Sequence, residues 1–227
     1  MFMNELDKKL IEAATVGDLP EIRSLIERGA DIHVDDGKPF VVAAEHGRLE
    51  VVKYLASQGA HLEDRRDRAL LMASGNGHLK VAEFLVSAGA DIHFLRDCIL
   101  RWAAGNGQLE VVKFLMDKGA DVHASGPSGD ALKNAAENGH LKVVRYFVEK
   151  GANIHALNNR ALLYAARNGH IDVVELLLEK GAPIAVAKEN GTDTVKEFCK
   201  VFELKQMLDA KIQQSTPAKP KSARLKI

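Results

Sequence analysis

The sequence predicts an all-α fold: a solenoid of stacked helix–turn–helix units joined by short connecting turns. Three observations carry that prediction. Two glycine series, Gly17, Gly47, Gly77, Gly107, Gly139, Gly169 and Gly29, Gly59, Gly89, Gly119, Gly151, Gly181, both step by 30, 30, 30, 32 and 30 residues. Before each glycine of the first series stands a Leu-x-x-Ala-Ala phrase or a close variant, such as Leu132, Ala135, Ala136, with the three-and-four spacing of one helix face. After it comes a second apolar face at helical spacing, as in Leu141, Val144, Phe147 and Val148, with Lys142, Arg145 and Glu149 outside. Self-similarity at a fixed interval marks a linear array whose units bury their apolar faces only against one another.

The units follow in order. Residues 5–34 read as an N-terminal capping unit, because Lys8, Lys9 and Glu12 give its opening helix a water-facing side, and Pro20 is tolerated early in its second helix. Residues 35–186 hold five further units. The one long step comes from "ASGPSGD" (Ala124 to Asp130), two residues longer and rich in turn formers. Both glycines of a unit fall where a helix must end on a left-handed residue, which penalises a Cβ. A strand-like stub, such as Ala90 to His93, is expected after the second glycine, followed by a polar turn. Residues 187–214 read as a C-terminal capping helical segment, opened by the capping-box pair Thr194 and Glu197. Phe198, Val201, Phe202, Met207 and Leu208 would cover the end of the stack; the alternative is a separate partner-binding helix. Residues 215–227 carry two prolines, four basic residues and no acidic one, the composition of a disordered tail.

Composition narrows the function. Lys plus Arg and Asp plus Glu number 31 each, so no global basic field holds the chain on nucleic acid; only the tail offers a weak attraction. Cys98 and Cys199 form neither a CxxC pair nor a disulfide framework. The N-terminus carries charges within its first ten residues and no apolar run reaches a membrane span. A cytoplasmic, intracellular chain is expected, with a nuclear location open, no membrane association, and a monomeric state. No phosphate loop, G-x-S-x-G or H-E-x-x-H motif occurs, so neither an enzyme nor a cofactor is expected. The histidines His33, His93, His123 and His155 form a ladder with one rung per unit. Stacked helices lie about 8–10 Å apart, too far for neighbouring rungs to share a zinc ion comfortably at about 2 Å.

The phrase "NGHLKVVRYFVEKGANIHA" (Asn138 to Ala156) resembles the ankyrin repeat, and the match recurs in six units. The resemblance implies paired antiparallel helices in a curved stack that binds proteins. The period is shorter than the usual figure of about 33 residues, and the T-P-L-H opening is replaced by "KPFV", "RALL", "CILR", "DALK" and "RALL". Short tips are therefore expected in place of long hairpins. The short spacing and the wording "RWAAGNGQLEVVKFL" look like the ankyrin proteins of large amoeba-infecting DNA viruses, which suggests a viral host-interaction factor.

Five residues before each first glycine stand Glu12, Val42, Met72, Trp102, Asn134 and Tyr164. In ankyrin arrays this position looks toward the concave side and varies with the partner. Met adapts to irregular surfaces, and Trp and Tyr are enriched at binding hot spots. The expected partner-binding residues are Met72, Trp102, Asn134 and Tyr164; the tip residues Arg65, Arg66, Phe94, Leu95 and Arg96; and, two positions before the glycines, Glu45, Glu137 and Arg167. Gly75 and Gly105 occupy that last column too and leave a shallow floor beside Met72 and Trp102. An unidentified protein partner docking across units two to five, anchored at Trp102, is the expectation. Two readings compete with it: the apolar groups merely pack between first helices, or the chain associates with nucleic acid through its tail.

Overall fold

In the computed structural model residues 4–60, 63–123, 125–126 and 129–215 are described. They form seven consecutive helix pairs: α1 (Glu5–Val16) and α2 (Leu19–Glu27), α3 (Val34–Glu45) and α4 (Leu49–Ser57), α5 (Glu63–Gly75) and α6 (Leu79–Ser87), α7 (Phe94–Gly105) and α8 (Leu109–Asp117), α9 (Ala131–Glu137) and α10 (Leu141–Glu149), α11 (Ala156–Arg167) and α12 (Ile171–Glu179), and α13 (Ile184–Asn190) with α14 (Asp193–Ser215). First helices stack on first helices from α1 to α13, and a second row runs from α4 through α12 to α14. This is the predicted all-α solenoid.

The core repeats by column. The first-helix column Leu10, Phe40, Leu70, Leu100, Leu132, Leu162 is buried throughout, as is the second-helix column Leu25, Leu55, Leu85, Leu115, Phe147, Leu177. Beside them, Ala14, Ala44, Ala104, Ala136 and Ala166 let the first helices approach closely, and unit three alone places a serine, Ser74, in that column. Among the described residues its buried hydroxyl has no hydrogen-bond partner. Ser74→Ala is expected to raise stability by about 1 kcal/mol, the desolvation penalty removed. A chemical denaturation midpoint that falls would contradict this.

Each first helix from α1 to α11 closes on a left-handed glycine. At Gly107 (φ 74°) the Gln108 N–H reaches back to the Ala103 carbonyl at 3.0 Å, the six-to-one bond of a Schellman motif. The residue after the glycine then does a second job. His140 Nε2 lies 2.9 Å from the Gly105 carbonyl, His170 Nε2 2.9 Å from that of Glu137, Gln108 donates to Gly75 O at 3.3 Å and Arg48 to Thr15 O at 3.0 Å. Every one of these bonds crosses to the preceding unit. The ring of His140 thereby fills the space over Gly107, where a Cβ would fall 2.6 Å from its Nδ1. Gly107→Ala is expected to cost more than the roughly 1 kcal/mol that the backbone alone demands. The excess should shrink in a His140→Ala background, which a double-mutant cycle on melting curves measures.

The expected strand-like stubs are turns. Asp91 shows why: its carboxylate accepts the His93 N–H at 2.8 Å, and the same two-residue turn recurs at His33, His123 and His155. An acid or amide that bonds its own backbone two residues on outcompetes the extended form. Among the described residues the only strand pairing joins Ser125–Gly126 to Gly129–Asp130, at the two-residue insertion.

Three of the short tips are left-handed helical turns. Asp35, Asp36 and Gly37 have φ of 48°, 57° and 70°; Leu95, Arg96 and Asp97 have 48°, 58° and 56°; Leu157, Asn158 and Asn159 have 51°, 59° and 61°. Each closes with one backbone bond, such as Asp97 N–H to His93 O at 3.2 Å. Residues other than Gly, Asn and Asp pay about 1–2 kcal/mol each in this conformation, so Leu95 and Arg96 form the most strained tip. The buried Arg101 supports it from beneath, donating to the Arg96 carbonyl and, at 3.4 Å, to that of Leu95.

At the C-terminal end α13 packs on α11, and α14 packs on α13 and α12. The capping pair expected at Thr194 and Glu197 is displaced: Thr192 Oγ1 accepts the Val195 N–H at 3.3 Å, and α14 starts at Asp193. Thr192 is free to cap because Gly191 before it, in extended backbone, breaks the chain away from α13. Val195 and Cys199 are buried beneath α14, with Phe198 and Phe202 packed at the edge. Burial first, and then Glu203, raise the Cys199 thiol above its ordinary range, against the opposing pull of Lys188; such a thiol is a poor nucleophile. Apart from Ser215, the stretch expected to be a disordered tail lies outside the described residues.

Candidate functional site

The site is built on the first-helix row, where the Leu-x-x-Ala-Ala pattern turns one face inward and leaves the positions five and two before each glycine on the outer side, with Gly75 alone among them buried. Trp102, on α7, is 49% exposed. Its ring is set down on the neighbouring unit: a Cβ at Gly75 would fall 2.0 Å from Trp102 Nε1 and 2.1 Å from Cδ1. Gly75 is therefore the seat of the indole rather than an empty floor. The edge of the ring is anchored across the unit boundary and the rest remains accessible. The other glycine of the column, Gly105, keeps a shallower open place, with Asn134 Cβ 3.5 Å from where a Cβ would stand.

Toward the N-terminal side, Met72 and Val42 border a depression of about 230 Å³ between units two and three. Its rim carries Glu45, Asp35 and Asp36 against Lys38 and Arg68. Lys38 is held by Asp35 at 2.9 Å, and Asp36 by Arg65 at 3.1 Å. Toward the C-terminal side, the Lys133 ammonium lies 4.5 Å from the centre of the Tyr164 ring and pairs with Glu137, while Arg167 approaches the same ring at 6.0 Å. Tyr164 is thus covered by cations on a half-buried patch, and Arg167 also reaches Asn190 at 3.4 Å.

The tip residues divide. Arg65 is engaged inside the array, its guanidinium shared between Asp36 and His33 Nδ1 (3.0 Å) and its stem lying over Gly37. Arg66 donates to the Ala88 carbonyl at the end of α6. Phe94 packs against the core, whereas Leu95 is 65% exposed and Arg96 is exposed beside it. The structure therefore brings Met72 and Glu45 together at one depression, joins Trp102 to Gly75, and gathers Glu137, Tyr164 and Arg167 around Lys133. Sequence reasoning missed Lys133 and Arg101. Both stand six residues before a first glycine, in a column otherwise filled by Ile11, Val41, Leu71 and Leu163, and a polar residue in an apolar column was the available signal.

Three of the four ladder rings have side-chain partners: His33 meets Arg65 of the next unit, and within their own turns His93 Nδ1 meets Asp97 at 2.8 Å and His155 Nδ1 meets Asn159 at 2.8 Å. Among the described residues no group of three His, Cys, Asp or Glu is arranged to hold a metal ion, and no helix is long and apolar enough to cross a membrane.

The family model for ankyrin repeats, three copies long, matches residues 10–95 and again residues 100–187. The chain belongs to the ankyrin-repeat family. A comparison with the curated proteins gives no match. Ankyrin repeats in general mediate protein–protein contacts and are typically non-enzymatic scaffolds, and the helix rows, short tips and first-helix surface described above are the ankyrin arrangement in a contracted, 30-residue form.

Proposed function

We propose that this ankyrin array is a non-catalytic scaffold that docks a partner protein along its first-helix face, the side that is concave in the family, with Trp102 as the anchor. The observation that carries the reading is the indole seated edge-on over Gly75 with half its surface in solvent. A large aromatic fixed in place but left uncovered loses little entropy when a partner covers it, which is the economy of a hot spot. Val42 and Met72 on one side and Tyr164 with its cations on the other extend the surface over several units. The short period and the wording "RWAAGNGQLEVVKFL", which resemble those of ankyrin proteins of large amoeba-infecting DNA viruses, are the grounds for a host-interaction role of the partner contact, inside a cell.

Affinity capture with the full chain from cells of the source organism, read by mass spectrometry, tests the proposal. A partner recovered by the native chain and lost with Trp102→Ala is the expected result. If every recovered partner survives that substitution, and binding instead collapses with rising salt, the surface is not the binding site and contacts to nucleic-acid phosphates through the basic tail explain the capture.

A further inference from the structure

Helix α14 is longer than its task at the end of the stack requires. Val195, Phe198, Cys199 and Phe202 use one side of its first half to cover α13 and α12. From Leu204 to Ile212 every residue is exposed, so this outer half stands away from the array. It is nevertheless apolar along one stripe: Val201, Leu204, Met207, Leu208 and Ile212 are between 52% and 64% exposed. These residues recur at three- and four-residue steps, the pattern of a packed helix face. A free helical stretch this short is marginal in water, and a stripe of five large side chains on it is more than scattered surface apolarity.

We propose that the outer half of α14 pairs antiparallel with the same segment of a second copy of this chain, forming a two-fold homodimer. The commitment to a second copy comes from the charges beside the stripe. Lys205 and Asp209 lie on one flank, one helical turn apart, and neither makes an ion pair among the described residues. When two copies run antiparallel about an axis at Met207, Lys205 of each stands level with Asp209 of the other. The same register brings Lys211 level with Glu203, which Lys188 of its own chain already holds at 3.0 Å, so the register gains its new charge pairs from Lys205 and Asp209 alone. With a rise of about 1.5 Å per residue, it also interleaves the apolar groups: Leu204 falls between Leu208 and Ile212 of the second copy, and Val201 lies next to that Ile212. One register satisfies both the stripe and the Lys205–Asp209 pairs, as self-complementary two-fold contacts require. The net charge of the segment from Asp193 to Ile212 is zero, with four lysines and four acids, which gives it no attraction to an anionic lipid surface.

The contact is small beside the roughly 1,200 Å² at which stable interfaces begin, so the dimer is concentration-dependent. It departs from the monomer expected of the sequence, and it is independent of the docking proposal for the first-helix face. Sedimentation velocity on the full chain, from low to high micromolar, tests it. A monomer–dimer equilibrium is expected for the native chain, and a monomer throughout for the double variant Leu204→Asp, Leu208→Asp. The melting transition of the array should be unchanged, because neither side chain packs on it. Lys205→Asp is expected to weaken association about tenfold, and adding Asp209→Lys to restore it. A native chain that stays monomeric over the whole range, or a dimer that survives the Leu204 and Leu208 changes, overturns the proposal. A dimer that ignores the charge reversal overturns the antiparallel register.

Discussion

Trp102→Ala is expected to weaken partner binding by about thirtyfold or more while leaving the array folded. Interface tryptophans that act as hot spots contribute about 2 kcal/mol and upward, and about 1.4 kcal/mol is a tenfold change in affinity. The ring is half in solvent, so its removal exposes little core and the melting temperature should hardly move. Titration of the captured partner against both proteins, with parallel thermal melts, checks the two halves of the statement. Gly75 supplies an orthogonal probe. Alanine there favours the helix by up to about 1 kcal/mol, yet its Cβ would lie 2.0 Å from the indole nitrogen and must drive the ring off its seat. Gly75→Ala alone should therefore reproduce most of the affinity loss without touching the tryptophan. Combined with Trp102→Ala, it should melt higher than Trp102→Ala alone. A Gly75→Ala protein that binds normally would show that the seated position of the ring has no part in recognition.

Phe147→Ala is expected to bring the largest loss of stability, about 3–5 kcal/mol, since truncating a buried phenylalanine adds a cavity to the lost transfer energy. Phe147 is fully buried on α10 and is among the largest such side chains in the chain. The array couples neighbours only, so the loss is concentrated in unit five and weakens its junctions with units four and six. Unfolding should then cease to be a single transition. Trp102 is the only tryptophan and sits in unit four, so its fluorescence reports the N-terminal side while circular dichroism reports the whole helix content. The two probes should coincide in the native chain and separate in the variant. Coincident curves with a loss below 1 kcal/mol would mean that the core relaxes around the cavity.

The parts of this fold that were legible in the sequence are those set by local sterics. A glycine that must carry positive φ has no good substitute, so thirty-residue pairs of glycines announced the helix ends, and alanines beside leucines announced close helix packing. The indole was legible by half. Gly75 read as open floor because a column shows which side chain is missing but not which neighbour enters the space. The left-handed tips were not legible at Leu95 and Arg96: neither residue favours that backbone, and the conformation is imposed by closure of the turn and by Arg101 beneath its carbonyls. The stubs at Asp91 and its equivalents were misread because isoleucine beside them suggests a strand, whereas the carboxylate bonds its own chain. Lys133 escaped because its role is a ring contact in the next unit, which no spacing within its own unit reveals.

The side chains lent backward across each junction have a practical consequence for anyone dissecting the protein. The last turn of a first helix is completed by a group that belongs to the following repeat, so the piece that can be excised intact is not the sequence repeat itself. A fragment stopping at Gly151 leaves the Glu137 carbonyl without His170 and Asn168; one that includes the next turn keeps it. Assembly is in this sense directional, with every newly added segment finishing its predecessor. The series closes when a backbone group takes over from the side chains, as the Thr192 N–H reaches the Ala166 carbonyl at 3.2 Å.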